Sequence, residues 1–128
     1  MKVDLKKSLK SAQGELALEV QFEMQPGELV GIYGASGAGK TSILRMLAGL
    51  MEPEVGTISL DGVNWYDSEQ GISLKPQKRA VGLLFQDYAL FPNMTVRENL
   101  EFAQAHGADS KKVDHLIELT ELGDLQKQ

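Results

Sequence analysis

The sequence contains no cysteine. That excludes a disulfide framework and any thiolate-held metal, and it suits a reducing compartment. No run of about 18 apolar residues is present, the length a helix needs to cross a bilayer. The first residues, Met1-Lys2-Val3-Asp4-Leu5-Lys6-Lys7, lack the apolar stretch of a secretory signal. Basic residues are in deficit: 13 Lys and Arg face 18 Asp and Glu, a formal net charge of −5. This argues against a broad cationic surface for nucleic acid. Internal repeats and low-complexity segments are also missing. What is present, 128 residues with 42% hydrophobic and 24% charged, is the composition of one ordinary globular domain with a modest core.

The order of elements follows from hydrophobic period. Leu16, Leu18, Val20, Phe22 and Met24 alternate with Ala17, Glu19, Gln21 and Glu23, which predicts a strand with one dry and one wet face. A shorter strand is expected over Val3 to Leu5, and Pro26-Gly27-Glu28 reads as a turn. Leu29-Val30-Gly31-Ile32-Tyr33 and Val81-Gly82-Leu83-Leu84-Phe85 are apolar on both faces, the pattern of strands buried inside a sheet. From Lys40 the period becomes helical, with Ile43, Leu44, Met46, Leu47 and Leu50 on one face and Gly49 as a stop. Thr57 to Leu60 is a short strand closed by an Asp61-Gly62 turn, and residues 64–79 read as a polar, irregular excursion. Thr95 with Glu98 forms a capping box for a helix to about Ala105. Asp109 is expected to cap a second helix that carries Val113, Leu116, Ile117 and Thr120 on one face and ends at Gly123. The sum is an α/β chain with a β-rich start.

One stretch carries chemistry. Gly34-Ala35-Ser36-Gly37-Ala38-Gly39-Lys40-Thr41 fits G-x-x-x-x-G-K-[ST]. Wrapping a nucleotide's phosphates in backbone N–H groups requires glycines that accept positive φ and carry no Cβ. The loop must then feed a helix N-terminus, whose free N–H groups and dipole favour an anion. In that reading Lys40 reaches the β- and γ-phosphates, Thr41 offers a hydroxyl to Mg²⁺, and Ser42 bonds a phosphate through its hydroxyl or N–H. A flexible linker is the plain alternative, but the motif stands between an apolar strand pattern and an amphipathic helix. A dinucleotide fingerprint has different spacing and no lysine. Gln86 follows the second apolar run; it reads either as a solvated loop residue or, since ligands sit at the carboxyl ends of strands in open α/β sheets, as a group sharing a ligand with the loop after Tyr33.

Three blocks together resemble the ATPase subunits of ABC transporters: the glycine loop, Thr57-Ile58-Ser59-Leu60-Asp61-Gly62, and the run from Leu84-Phe85-Gln86-Asp87-Tyr88 through Leu90-Phe91-Pro92-Asn93-Met94-Thr95 to Asn99-Leu100. The resemblance implies an α/β P-loop NTPase fold of the ABC type. It implies that the chain is the N-terminal part of a single nucleotide-binding domain, with the P-loop at 34–42, the Q-loop around 86 and a helical region from about 95 to 128. It implies ATP and Mg²⁺ as cofactors, Lys40 and Gln86 as catalytic groups, Thr41 and Gln86 as metal ligands, and a segment after Gln86 that contacts membrane permease subunits. A second ATPase subunit would complete the site as a homodimer. The intact protein would then be cytoplasmic and peripheral on the inner face of the cell membrane, with no nucleic-acid partner. Asp67 to Gly82 is similar to the matching stretch of molybdate-importer ATPases, which implies molybdate or tungstate as cargo. Sulfate, iron and polyamine importers, a non-transport ABC ATPase, and a plain nucleotide-binding module are the alternatives.

Two departures from the pattern shape the expectations. Around residues 8–14 no aromatic is present to stack on adenine. The family's signature motif, Walker B carboxylates and switch histidine do not occur, and His106 and His115 read as helix or helix-end residues. Glu52, Glu54, Asp61 and Asp87 are turn or loop residues, so none stands where a catalytic carboxylate is needed. The chain is therefore expected to bind nucleotide without hydrolysing it, and its apolar runs are expected to drive self-association.

Overall fold

The computed structural model describes residues 1–11, 14–87, 90–104 and 111–128. They pack as two compact units, Met1–Leu83 and Leu84–Gln128, taken separately below. Within the first unit lie β1 (Lys2–Ser11), β2 (Gly14–Glu23), α1 (Lys40–Leu47), β3 (Val55–Leu60), β4 (Val63–Asp67), β5 (Ile72–Ser73) and a single 3₁₀ turn over Pro76–Lys78. The second unit holds α2 (Val96–Phe102) and α3 (Lys111–Leu119).

The strands form one antiparallel sheet in the order β2-β1-β3-β4-β5. Alternation along β2 does what the pattern requires: Leu16, Leu18, Val20 and Phe22 turn inward while their neighbours face water. β1 runs well beyond the expected three residues, because every position from Lys2 to Ser11 finds a partner on β2. The β3–β4 turn uses Asp61 (φ 50) and Gly62 (φ 79); two consecutive left-handed residues match the twist of the strands they join. Val3 and Leu5 of β1, Ile58 of β3, Trp65 and Tyr66 of β4 and Ile43 and Met46 of α1 build the core. At Gly56 (φ 123) a Cβ would lie 1.9 Å from the Asp4 carbonyl oxygen, so β1 and β3 approach at a distance only glycine permits.

Several expectations fail in this unit and at its boundary with the second. Residues 29–33 and 81–85 form no strand. Leu29 and Tyr33 are fully exposed, and Val30, Ile32, Val81 and Phe85 lie partly in water. A strand exists only where another backbone takes its hydrogen bonds, and among the described residues no strand lies beside either run. Conversely, residues 64–79 are not an irregular excursion. Asn64 pairs with Ser59 and Tyr66 with Ile58, leaving Trp65 as a bulge, and this lets two adjacent aromatics both be buried. Leu44 and Leu50 of the expected apolar helix face are exposed. Gly49 (φ 78) ends α1 as expected, with its N–H on the Met46 carbonyl and that of Leu50 on the Arg45 carbonyl.

In the second unit the capping box is complete. Thr95 Oγ1 accepts the Glu98 N–H at 3.2 Å, and the Glu98 carboxylate accepts the Thr95 N–H at 2.7 Å and its hydroxyl at 2.9 Å. These bonds hold the Glu98 carboxyl below the usual carboxylate range. The C-terminal segment closes on α2: Val96 N–H donates to the Gln128 carbonyl and Arg97 N–H to that of Gln126. Arg97 also reaches Asp114 of α3 at 2.9 Å, while Val113 and Ile117 of α3 are buried and Leu116 is not. The turn after α3 is made by Glu121 (φ 56), with Leu122 N–H on the Ile117 carbonyl, so Gly123 is not the terminator. Ala105, His106, Asp109, Tyr88 and Ala89 lie outside the described residues. No helix among the described residues is long and apolar enough to cross a membrane.

Candidate functional site

The nine residues 34–42 lie together in the first unit. Ser36 and Gly37 form a turn closed by the Ala38 N–H on the Ala35 carbonyl at 3.2 Å. Gly37 (φ 80) and Gly39 (φ 88) both occupy the left-handed region. At Gly37 a Cβ would stand in open space; at Gly39 it would press to 3.2 Å on the methyls of Leu9 and Leu18. The hairpin end therefore rests directly on the last glycine of the loop.

Gly39 is also the N-cap of α1. It supplies no side-chain cap, its carbonyl accepts the Ile43 N–H at 3.0 Å, and no acidic residue occupies the first turn. Lys40, Thr41 and Ser42 thus carry the N–H groups that a helix start leaves without an intrahelical acceptor, at the positive end of the dipole. The Lys40 side chain curls over the loop and donates at 2.7 Å to the carbonyls of both Gly34 and Ala35. Thr41 is exposed, and neither it nor Ser42 makes a side-chain hydrogen bond among the described residues.

This arrangement suits a phosphate chain: two left-handed glycines, space where one Cβ would stand, an uncapped helix start and one flexible ammonium. The Thr41 hydroxyl and the Gln86 amide oxygen are hard oxygen donors of the kind Mg²⁺ accepts. Gln86 is exposed and lies in the second unit, whereas the loop lies in the first. Because residues 81–85 form no strand, Gln86 does not stand at a strand end as its pattern suggested.

A residue the sequence did not single out sits at the opposite end of α1. Arg79 is buried, with 5% of its surface exposed. Its Nη1 donates to the carbonyls of Met46 (2.8 Å) and Leu47 (2.9 Å), its Nε to Leu74 (2.9 Å) and its Nη2 to Trp65 (3.4 Å). Burial pushes its pKa down, opposed by the nearby charge of Glu52. All four acceptors are backbone carbonyls, so no side-chain motif could have marked it.

Comparison with known proteins extends over most of the chain. The family described as ABC transporter matches residues 18–128. A molybdenum import ATP-binding protein, ModC, of Paramagnetospirillum magneticum is 43% identical over 114 residues, covering 89% of this chain and 31% of that protein. ModC of Rhodospirillum rubrum is 47% identical over 90 residues, 70% of this chain and 24% of the relative. A probable sulfate/thiosulfate import ATP-binding protein, CysA, of Chlorella vulgaris is 40% identical over 108 residues, 84% of this chain and 42% of the relative. The chain thus spans about a third of the length of the curated relatives it matches. Among solved structures, the dimeric ATP-binding cassette MJ0796 bound to ADP and Pi aligns with a TM-score of 0.74 and 23% identity, covering all of this chain and 61% of the other.

Proposed function

Because the chain belongs to the ABC transporter family and carries part of that family's α/β P-loop NTPase fold, we infer that residues 34–42 bind the phosphates of Mg-ATP on behalf of an importer ATPase. The observation that carries this reading is the pair of left-handed glycines leading into the uncapped start of α1, with the Lys40 ammonium held on the Gly34 and Ala35 carbonyls of the same loop. Gly34, Ala35, Ser36, Gly37, Ala38 and Gly39 supply the wrapping backbone. Lys40 exchanges its two loop carbonyls for phosphate oxygens, and because those carbonyls already hold the ammonium over the cradle, little side-chain freedom is lost on binding. Thr41 through its hydroxyl and Gln86 through its amide oxygen are the residues that would hold Mg²⁺. That ion supplies charge neutralisation on the phosphates. Gln86 has a second role in orienting the attacking water.

The intact protein would couple hydrolysis to transport through membrane permease subunits. It would work as a homodimer on the cytoplasmic face of the cell membrane. Molybdate or tungstate is the favoured cargo, supported by the ModC relatives and by the similarity of residues 67–82. Sulfate is the second reading, supported by the CysA relative. The choice between the two cargoes rests on likeness to these relatives.

Calorimetric titration of Mg-ADP into the chain and its Lys40→Ala variant tests the reading. Binding by the former and at least tenfold weaker binding by the latter is expected; equal binding by both overturns it. A phosphate-release assay with Lys40→Ala as blank tests the expected lack of turnover. Without a positioned carboxylate and the opposing signature loop, several preorganised groups are missing, each typically contributing about 10²–10³-fold. Lys40-dependent turnover at the rate of an intact ATPase would refute that part.

A further inference from the structure

We propose that Arg79 is a positioning residue for the phosphate cradle: by clamping the C-terminal end of α1 it fixes the direction in which the helix presents its N-terminal N–H groups. The proposal rests on the nucleotide reading above and adds to it a residue far from the loop in sequence.

A guanidinium is costly to bury, and this one makes no ion pair among the described residues; its compensation comes from carbonyls. Two of these, on Met46 and Leu47, belong to the last turn of α1, where the dipole is negative; the Met46 carbonyl also accepts the Gly49 N–H. The other two, on Leu74 and Trp65, belong to the chain on the far side of the guanidinium. The planar fork therefore ties the end of α1 to β4 and to the segment before the 3₁₀ turn, with Cζ 5.8 Å from the Trp65 ring. Gly49 completes the clamp: a Cβ there would lie 2.8 Å from Arg79 Nε, so the helix stop lies directly against the guanidinium.

The lever is short. Eight residues make a helix about 12 Å long, and a swing of about 10° at one end moves the other by about 2 Å. Hydrogen bonds from N–H groups weaken steeply over such a displacement. Ile43 and Met46 hold one side of α1 in the core, but packing of two apolar side chains does not set the axial direction as a four-bond fork does. Lysine at position 79 keeps the charge and loses the fork.

Four variants of the 128-residue chain test the clamp: Arg79→Lys, Arg79→Met, Gly49→Ala and Lys40→Ala. Mg-ADP affinity is measured by calorimetry at a temperature where circular dichroism reports each variant folded, with urea midpoints recorded alongside. We expect roughly tenfold weaker binding for Arg79→Met and about threefold for Arg79→Lys and Gly49→Ala, beyond any fraction unfolded. Backbone amide shifts of Thr41 and Ser42 should move in Arg79→Lys without nucleotide, while those of the β1–β2 hairpin stay. Folded Arg79 variants that bind like wild type, with unmoved Thr41 and Ser42 amides, overturn the proposal and leave Arg79 purely structural. If Arg79→Met does not fold, Arg79→Lys and Gly49→Ala supply the same test. Wild-type binding that survives Lys40→Ala unchanged refutes the nucleotide reading itself, and the proposal with it.

Discussion

The β1–β2 hairpin and the run Leu29–Tyr33 are apolar stretches separated by one turn, yet their fates differ. Along the hairpin three outward lysines on one strand face glutamates on the other, Lys2 opposite Glu23, Lys6 opposite Glu19 and Lys10 opposite Glu15, while Asp4 faces the Gln21 amide. Its inward residues reach the core, and its backbone is satisfied by a neighbour close in sequence. Leu29–Tyr33 has the more apolar sequence and lies exposed. Hydrophobicity states how strongly a segment gains from burial, while the ladder partner decides whether it becomes a strand.

The paired side of this contrast is most vulnerable at Gly56. Replacing it with valine puts a side chain into the Asp4 carbonyl and should cost about 4 kcal/mol or more, leaving β1 without β3. Loss of the cooperative urea transition would confirm this. An unchanged midpoint would mean the two strands do not meet so closely in solution.

Two matched substitutions set the buried and exposed regions against each other. Ile58→Ala empties a fully buried site and should cost about 2–5 kcal/mol. Ile32→Ala, the same chemical change in the exposed run, should fall within about 0.5 kcal/mol. A large penalty at Ile32, growing with protein concentration in light scattering, would show that a second copy covers the run.

In the second unit, Thr95→Ala removes half of the capping box and should cost about 1 kcal/mol, read as a lower midpoint for α2. The pH dependence has a defined sign. Because the Glu98 carboxyl is held low by the Thr95 N–H first and its hydroxyl second, its contribution is present above the ordinary carboxylate range. It is lost as pH falls through the lowered folded value. Thr95→Ala should move the Glu98 titration part of the way back up, measured by carboxyl NMR shifts. The smallest effect belongs to Lys6→Ala: its pair with Glu19 is exposed, so the midpoint should not move measurably.

Features fixed by local chemistry were legible in the sequence. Pro26-Gly27, Asp61-Gly62, the Thr95–Glu98 box and the β2 alternation each satisfy a requirement within a few residues, and so does the glycine loop feeding α1. Features that depend on a distant backbone were not. Arg79 bonds carbonyls, which every residue carries. The Trp65 bulge breaks the period of two and hides a strand inside what looks like a polar excursion. The turn after α3 falls at Glu121, because the Leu122 N–H reaches back to Ile117 and the tail then folds onto α2. Of the candidate site, the contiguous part was readable as a unit, whereas Gln86 belongs to a different unit and its role came from likeness alone.

The pairing of β1 with β3 also has a kinetic meaning. Val3 lies opposite Ile58, so making that contact closes a long loop of chain, and both the glycine loop and α1 lie inside it. The β1–β2 and β3–β4 hairpins can form early from near neighbours, but joining them carries the entropy of the long closure. Met46 and Ile43 find their core only once β1 and β3 are side by side. The glycine loop and α1 therefore take their final places late, and under the proposed function a newly made chain would acquire affinity for nucleotide as one of its last folding events.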